Sequence, residues 1–328
     1  MKIRLALVTA LFRYACLLLV LLNAVVWPSA SAQTRERTTT KVAEGVYVIR
    51  HRSAPTGFPQ SNTTVIIGDR EVFVVDSCYL PSTARGDIAQ IREWTDKPVR
   101  YLLNTHWHND HVMGNSVYRE AFPSLAVIAH KETAKDMDLL IPQAPRRGAD
   151  FLAAQKRRLE SGKSEDGKPL TQAEKSELSD AIALRQMVVD DYKSFVYQSP
   201  NITFDKELSI DLGNREVQVK YLGRGNTTGD AIVYLPKEKI LVTGDLLVHP
   251  LPFTLDGYPS LWIQTLERIG QMDAQIIVPG HGPVMRDKTY LYNLRDFIRS
   301  AVEQVNAQLY RIGPAEVHSV EEVRGGVD

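Results

Sequence analysis

The chain of 328 residues is poor in cysteine, with only Cys16 and Cys78. Cys16 sits in an apolar N-terminal stretch, so the remainder has no second thiol for an internal disulfide and must rely on a packed core. Cys78 reads as a small buried residue. Net charge is lacking too: 39 Lys and Arg balance 39 Asp and Glu, so nothing in the balance attracts nucleic acid. An apolar run of membrane-spanning length is also missing. The best candidate, Ala15 to Trp27, begins after Arg13 and falls short of the roughly 20 residues a bilayer requires.

That stretch reads instead as a signal peptide. Lys2, Arg4 and Arg13 are its only charges, the apolar run follows, and Ala30 and Ala32 form a small-residue cleavage pattern. Cleavage after Ala32 leaves residues 33–328 with a formal charge of −3, in the periplasm or secreted, with no stable membrane association. The polar segment "TRERTTTK" then reads as a linker. Strands are expected at 45–50, 63–68, 72–76, 99–105 and 125–130, where Val, Ile, Tyr and Phe cluster. Helices are expected over Pro81 to Trp94 and 112–122. From about 133 to 198 the texture turns charged and helix-favouring. Two helices joined by the polar loop "SGKSEDGKP" are expected there, the second opened by the capping-box pattern Thr171 to Glu174. Strands resume over 201–244, and helices at 260–272 and 288–311 flank a short strand, "QIIVP". Strand-rich halves with helices between them predict a layered α/β architecture with a helical insertion.

The densest chemistry lies in "NTHWHNDHVMGN". His106, His108, Asp110 and His111 follow the apolar run "RYLL". Alternate residues of an extended loop share a face, so His106 and His108 converge while Trp107 and Asn109 face elsewhere. Asp110 and His111 are placed to serve a second ion alongside. Imidazole and carboxylate are suitable zinc ligands. His281, in "IIVPGHGPV", sits between two glycines that let the backbone bring an imidazole to a buried point. His51 and His130 read as surface or packing residues and His318 as solvated, whereas His249 is close enough to "TGD" to reach a site mouth.

"THWHNDH", "TGDLL" and "PGHGP", in this order, resemble the metallo-β-lactamase-fold superfamily over roughly residues 42 to 311. The resemblance implies an αββα sandwich with its site along one edge of two sheets. It implies His106 and His108 at a first metal, and Asp110, His111 and His281 at a second. Asp245 matches the bridging carboxylate of the glyoxalase-II-like branch, and Asp76, ending "VFVVD", matches a residue that supports the metal loop. The remaining ligand of the family is a histidine in a glycine-rich loop, and in "GRGNTTGD" its place is taken by Asn226. A neutral amide oxygen is a poorer zinc ligand than imidazole, so a weakened first site is expected. A phosphate-loop reading fails for want of the lysine. A dinucleotide-turn reading fails because the third glycine comes one residue late and a strand-like run follows.

What the resemblance implies is a hydrolase holding one or two Zn2+, with iron or manganese as alternatives. A metal-bound hydroxide, oriented by Asp110, would open a carbonyl bond in a small-molecule substrate: a β-lactam, a lactone or other ester, or a thioester. The competing readings are an iron-dependent persulfide dioxygenase-like enzyme and a non-catalytic binding protein.

Overall fold

The computed structural model describes residues 37–312. The signal-peptide and cleavage readings, Cys16 and His318 lie outside the described residues. Twelve strands form two sheets. The first runs β1 (Thr38–Ala43), β2 (Val46–Arg50), β3 (Thr63–Ile67), β4 (Val72–Val75), β5 (Val99–Asn104), β6 (Ala126–His130) and β7 (Ile202–Phe204) in spatial order. It is antiparallel from β1 to β4 and parallel from β4 to β7. The second runs β12 (Ile276–His281), β11 (Ile240–Val248), β10 (Ala231–Leu235), β9 (Glu216–Tyr221) and β8 (Glu207–Asp211), with β11 and β12 parallel and the rest antiparallel.

The two sheets face each other across an apolar layer that includes Val48, Phe73, Val75 and Leu103 from one and Val219, Val233, Val242 and Val278 from the other. The outer face of the first sheet is covered by α1 (Pro81–Trp94) and α3 (Asn115–Ala121), through Ala84, Ile88, Ile91, Val117 and Tyr118. The outer face of the second is covered by α7 (Pro259–Gln271) and α8 (Thr289–Ile312), through Trp262, Leu266, Ile269, Leu291 and Leu294. The central strands are buried on both faces, which explains the near-continuous apolar runs of β4, β10 and β11. Each Val, Leu, Ile or Phe so placed contributes roughly 1.5–3 kcal/mol. This is the expected αββα layering.

Three local differences from the sequence reading have physical causes. Part of the supposed linker is β1, an edge strand paired with β2; its outward Thr and Lys residues stay solvated, so its composition looks like a linker's. The insertion holds α4 (Lys131–Leu140), α5 (Ala144–Ser161) and α6 (Gln172–Asp191), one helix more than expected. The additional helix is capped by His130, whose Nδ1 accepts the Glu132 N–H, and it buries Thr133, Ala134 and Met137. Finally, the helix expected over 112–122 is broken at Gly114. A Cβ there would lie 2.0 Å from the Ser77 carbonyl oxygen, so the chain passes close to the β4 loop before α3 starts. The expected capping box is present, Thr171 and Glu174 bonding reciprocally at the start of α6. Among the described residues, no helix is long and apolar enough to cross a membrane.

Candidate metal centre

Four loops meet at one edge of the sandwich: those after β5, β9 and β12, and the irregular stretch inside β11. After β5 the chain forms a single helical turn, α2 (Asn109–Val112), which sets Asp110 and His111 side by side behind His106 and His108. In β11 the register with β12 shifts around Gly244. Gly244 has φ 51° and packs against Thr105, where a Cβ would lie 2.5 Å from its Oγ1. A register irregularity of this kind re-aims a side chain, and here the side chain is Asp245. A Cβ on Gly280 would stand 2.0 Å from Asp245 Oδ1, so glycine at 280 is what allows the carboxylate to approach the His281 turn.

The sequence-predicted residues converge. Asp245 Oδ2 is 3.7 Å from His106 Nε2, while its Oδ1 is 3.2 Å from His111 Nε2 and 3.5 Å from His281 Nε2. Asp110 Oδ2 is 3.0 Å from His281 Nε2 and 3.6 Å from His111 Nε2. His106, His111 and Asp245 form one group of three facing donors, and Asp110, His111 and His281 form another. His106 Nε2 also lies 3.0 Å from His108 Nδ1. All of these residues are buried or nearly so.

The ring orientations are set from behind. Asp76, held at φ 60°, receives the Thr105 N–H at 2.8 Å and the Thr105 hydroxyl at 2.9 Å. Its Oδ2 lies 2.8 Å from His111 Nδ1. A carboxylate only accepts, so His111 carries its proton on Nδ1 and turns the Nε2 lone pair to the centre. The Thr105 hydroxyl, having donated to Asp76, accepts from His106 Nδ1 at 3.0 Å, with the same result for His106. Asp76 thus supports the loop, as the resemblance implied. Behind it, Ser77 and Asn104 donate to the His111 carbonyl and to Asn115 Oδ1, and Asn115 donates back to Asn104.

Asn226 is buried, and the structure sets it beside His108. Its Nδ2 lies 3.4 Å from His108 Nδ1. His108 Nε2 lies 3.2 Å from Asp256 Oδ2, so Nε2 carries the proton and Nδ1 the lone pair. That lone pair faces both the centre and the Asn226 amide group, and it cannot serve both at once. The loop carrying Asn226 is organised by Asp230, which accepts the N–H groups of Gly225 and Thr227 and the Thr227 hydroxyl. Gly225 is required for close approach: a Cβ would lie 2.3 Å from Leu246. The Gly225, Thr227 and Gly229 amides are thus consumed inside the loop and not offered to a phosphate.

The electrostatics favour a cation. Burial depresses the His106 pKa, and His111, His108 and His281 nearby push it further down. Burial opposes charge on His111 and His281 too, but Asp245 with Asp76 and Asp110 raises His111, and Asp245 with Asp110 raises His281. The carboxyls of Asp110 and Asp245 resist burial but are held low by His111 and His281. Two buried atoms in the middle, His111 Nε2 and Asp245 Oδ1, stand 3.2 Å apart as an ion pair without a well-formed hydrogen bond. A divalent cation between them would satisfy both, so the donor set fits a metal.

Asp256 was not legible as a functional residue in the sequence; it is exposed, on the loop between β11 and α7, and 148 positions from His108. The same loop places Phe253 with its ring centroid 5.7 Å from that of His108. Phe58 packs against Tyr79 with the rings tilted and their centroids 4.7 Å apart, and burial, with a smaller contribution from Asp110, pushes the Tyr79 pKa up. His249 is exposed beside Tyr290 and reaches the centre only through its backbone, whose N–H donates to the His281 carbonyl. His130 packs against Tyr221. His51 is buried, so packing and not surface describes it.

The model of the metallo-beta-lactamase superfamily matches residues 56–281. Among curated proteins, the chain is 23% identical over 250 residues to a linear primary-alkylsulfatase of Pseudomonas sp. (strain ATCC 19151), covering 73% of this chain and 45% of that one. It is 32% identical over 102 residues to a metallo-beta-lactamase type 2 of Elizabethkingia meningoseptica, covering 29% and 41%. The chain thus spans less than half the length of these curated relatives. Among solved structures, a metallo-beta-lactamase from Pontibacter korlensis superposes with a TM-score of 0.56 at 19% identity, over 80% of this chain and 99% of that one. TMB-1 superposes with a TM-score of 0.56 at 18% identity, over 82% and 100%.

Proposed function

The chain belongs to the metallo-beta-lactamase superfamily, and from that premise we propose that it is an exported, zinc-dependent hydrolase that opens a carbonyl bond in a small molecule. The fold implies divalent metal binding, and the observation that carries the reading is the shell of buried, converging donors, in which His111 Nε2 and Asp245 Oδ1 stand 3.2 Å apart without a well-formed hydrogen bond. His106 and His108, with Asn226 beside them, hold a first site. Asp110, His111 and His281 hold a second, and Asp245 lies between the two with an oxygen toward each. The choice of zinc rests on the imidazole and carboxylate donors. A metal bound there supplies a Lewis acid and a water acidic enough to lose its proton near neutral pH. Asp110, fixed by His281 at 3.0 Å, would orient a water toward the substrate carbonyl. Asp76 and Thr105 keep the Nε2 atoms of His111 and His106 facing inward.

The rim supports substrates with an apolar group next to the scissile bond. Phe253 and Leu255, 50% and 83% exposed, stand on the loop beside His108, and Phe58, 45% exposed, packs against Tyr79. Export rests on the N-terminal segment alone. The test is a panel of β-lactams, lactones, esters and thioesters, with an alkyl sulfate added because of the sulfatase relative, assayed with zinc-loaded protein. Turnover of a carbonyl substrate that disappears on chelation and in Asp110→Asn is expected. Oxygen consumption on a persulfide by an iron-loaded chain would overturn the reading, as would inertness across the whole panel.

A further inference from the structure

Asn226 stands in a loop that is clasped from within and from both sides. The inner clasp is Asp230, which is buried. Its carboxylate takes the N–H groups of Gly225 at 3.0 Å and Thr227 at 2.9 Å, the residues on either side of Asn226, and the Thr227 hydroxyl at 2.9 Å. These bonds fix the shape of the loop but hold it to nothing outside itself. Its position relative to the centre is set by neighbouring elements. Before Asn226 the neighbour is α7 and the residue that precedes it. The Thr265 hydroxyl donates to the Arg224 carbonyl at 2.8 Å, and the Tyr258 N–H donates to the Gly225 carbonyl at 2.8 Å.

After Asn226 the neighbour is α4, the first helix of the insertion. The buried Thr133 hydroxyl donates to the Gly229 carbonyl at 2.8 Å. Farther along the helix, Asp136 Oδ2 accepts the Thr228 hydroxyl at 2.5 Å. Residues three apart on a helix share a face, so these two bonds take hold of consecutive loop residues from one side. The approach is close. A Cβ on Gly229 would lie 2.5 Å from Thr133 Oγ1, 2.7 Å from the Thr133 nitrogen and 2.8 Å from His130 Nδ1. The chain then enters β10, where the Ala231 N–H donates to the Thr105 carbonyl at 2.8 Å, one residue before His106.

We propose that Thr133 and Asp136 are positioning residues of the first metal site, which hold residue 226 against His108 through Gly229 and Thr228. That role presupposes the metal-dependent reading of the same centre. Groups at a metal site must be held within about 0.5 Å of their working geometry. Asn226 Nδ2 lies 3.4 Å from His108 Nδ1, so a small slackening of the loop takes it out of reach. The two side chains act through the loop they hold, and they make α4 a part of the centre's support.

Thr133→Val removes the hydroxyl with little change of shape, Thr133→Ser keeps it, and Asp136→Ala removes the acceptor. Two readouts report on residue 226 itself. The first is the side-chain NH2 pair of Asn226 in nitrogen-correlated NMR spectra of the metal-free full chain, assigned by its absence in Asn226→Asp. The pair is expected to shift in Thr133→Val and in Asp136→Ala, and to keep its place in Thr133→Ser. The second is zinc competition in an Asn226→His background. There Thr133→Val and Asp136→Ala should each weaken the zinc at the first site by about 10–100-fold, with the other zinc held as before, and Thr133→Ser should change neither. Unchanged Asn226 signals overturn the proposal. Equal weakening of both zinc ions overturns it too, because a general loss of structure gives that result and a positioning role does not. Asp136 is only half-buried, so Asp136→Ala carries the test if Thr133→Val fails to fold, and the NMR signals decide it if Asn226→His holds no zinc. Neither readout uses turnover. An inert substrate panel would therefore sink the proposed activity and leave this role standing, and unmoved signals at residue 226 would do the reverse.

Discussion

Replacing Asn226 by histidine should tighten the first metal site. In the structure the amide nitrogen lies 3.4 Å from His108 Nδ1, where it competes for the lone pair that would bind metal. An imidazole there removes the competing N–H and adds a nitrogen donor next to His106 Nε2 and His108 Nδ1, themselves 3.0 Å apart. Changes to the partners of metal ligands typically alter affinity by about 10–100-fold, equivalent to roughly 1.4–2.8 kcal/mol. A change in the donor itself should reach at least that range. The assay is competition with a chromophoric zinc chelator. With Asn226, one zinc should be held tightly and a second weakly; with Asn226→His, both should be held. Two equally tight ions in both proteins would refute the reasoning. They would show that Asn226 turns its oxygen to the centre and serves as a full ligand.

Other perturbations test the supporting shell. Asp256→Ala frees His108 Nε2 and should weaken the first site by about 10–100-fold, with little change in Tm because Asp256 is exposed; an unchanged zinc affinity would remove Asp256 from the site. Asp76→Ala strips the anchor from Thr105 and His111 and should cost about 3–5 kcal/mol, since it leaves buried polar partners unsatisfied; chemical denaturation of metal-free protein measures this directly. Gly280→Ala places a methyl 2.0 Å from Asp245 Oδ1 and should abolish zinc binding at both sites, while a variant that retains two ions would contradict the close approach. For pH, the sign follows from the raised histidines. Their pairing stabilises the metal-free chain fully below the ordinary histidine value of 6.5, and is lost as pH rises through their raised folded values. The depressed Asp110 and Asp245 act oppositely, stabilising above 3.8 and failing as pH falls through their lowered folded values. Metal must displace the histidine protons, so zinc affinity should increase with pH, and calorimetry of proton release in buffers of different ionisation heat checks this.

Much of the molecule was legible because the relevant signals are local. Strands β2 to β6 and helix α1 follow from β-branched and aromatic runs and from a proline at a helix start. The cluster from His106 to His111 and the glycines around His281 are local too, and the structure brings them together. The failures are equally physical. β1 looks like a linker because an edge strand with one wet face carries linker composition. α4 was missed because its cap is a histidine, outside the usual capping residues. Asp256, Phe58 and the hold of Thr133 and Asp136 on the Asn226 loop leave no sequence signal, since each acquires its role from a neighbour far along the chain or on another element.

The sequence by itself determined a layered α/β architecture and the donor types, because periodicity and ligand spacing act over a few residues, and the resemblance of its motifs implied the αββα sandwich and an imidazole where Asn226 stands. Only the tertiary structure decided that Asp245 reaches both groups of donors, that the Asn226 amide faces His108 Nδ1, and that Asp256 fixes that histidine from outside. It also decided that α4 holds the loop carrying Asn226. Those relations depend on distances between residues that meet only when two sheets pack, and the packing is set by the whole apolar layer between them.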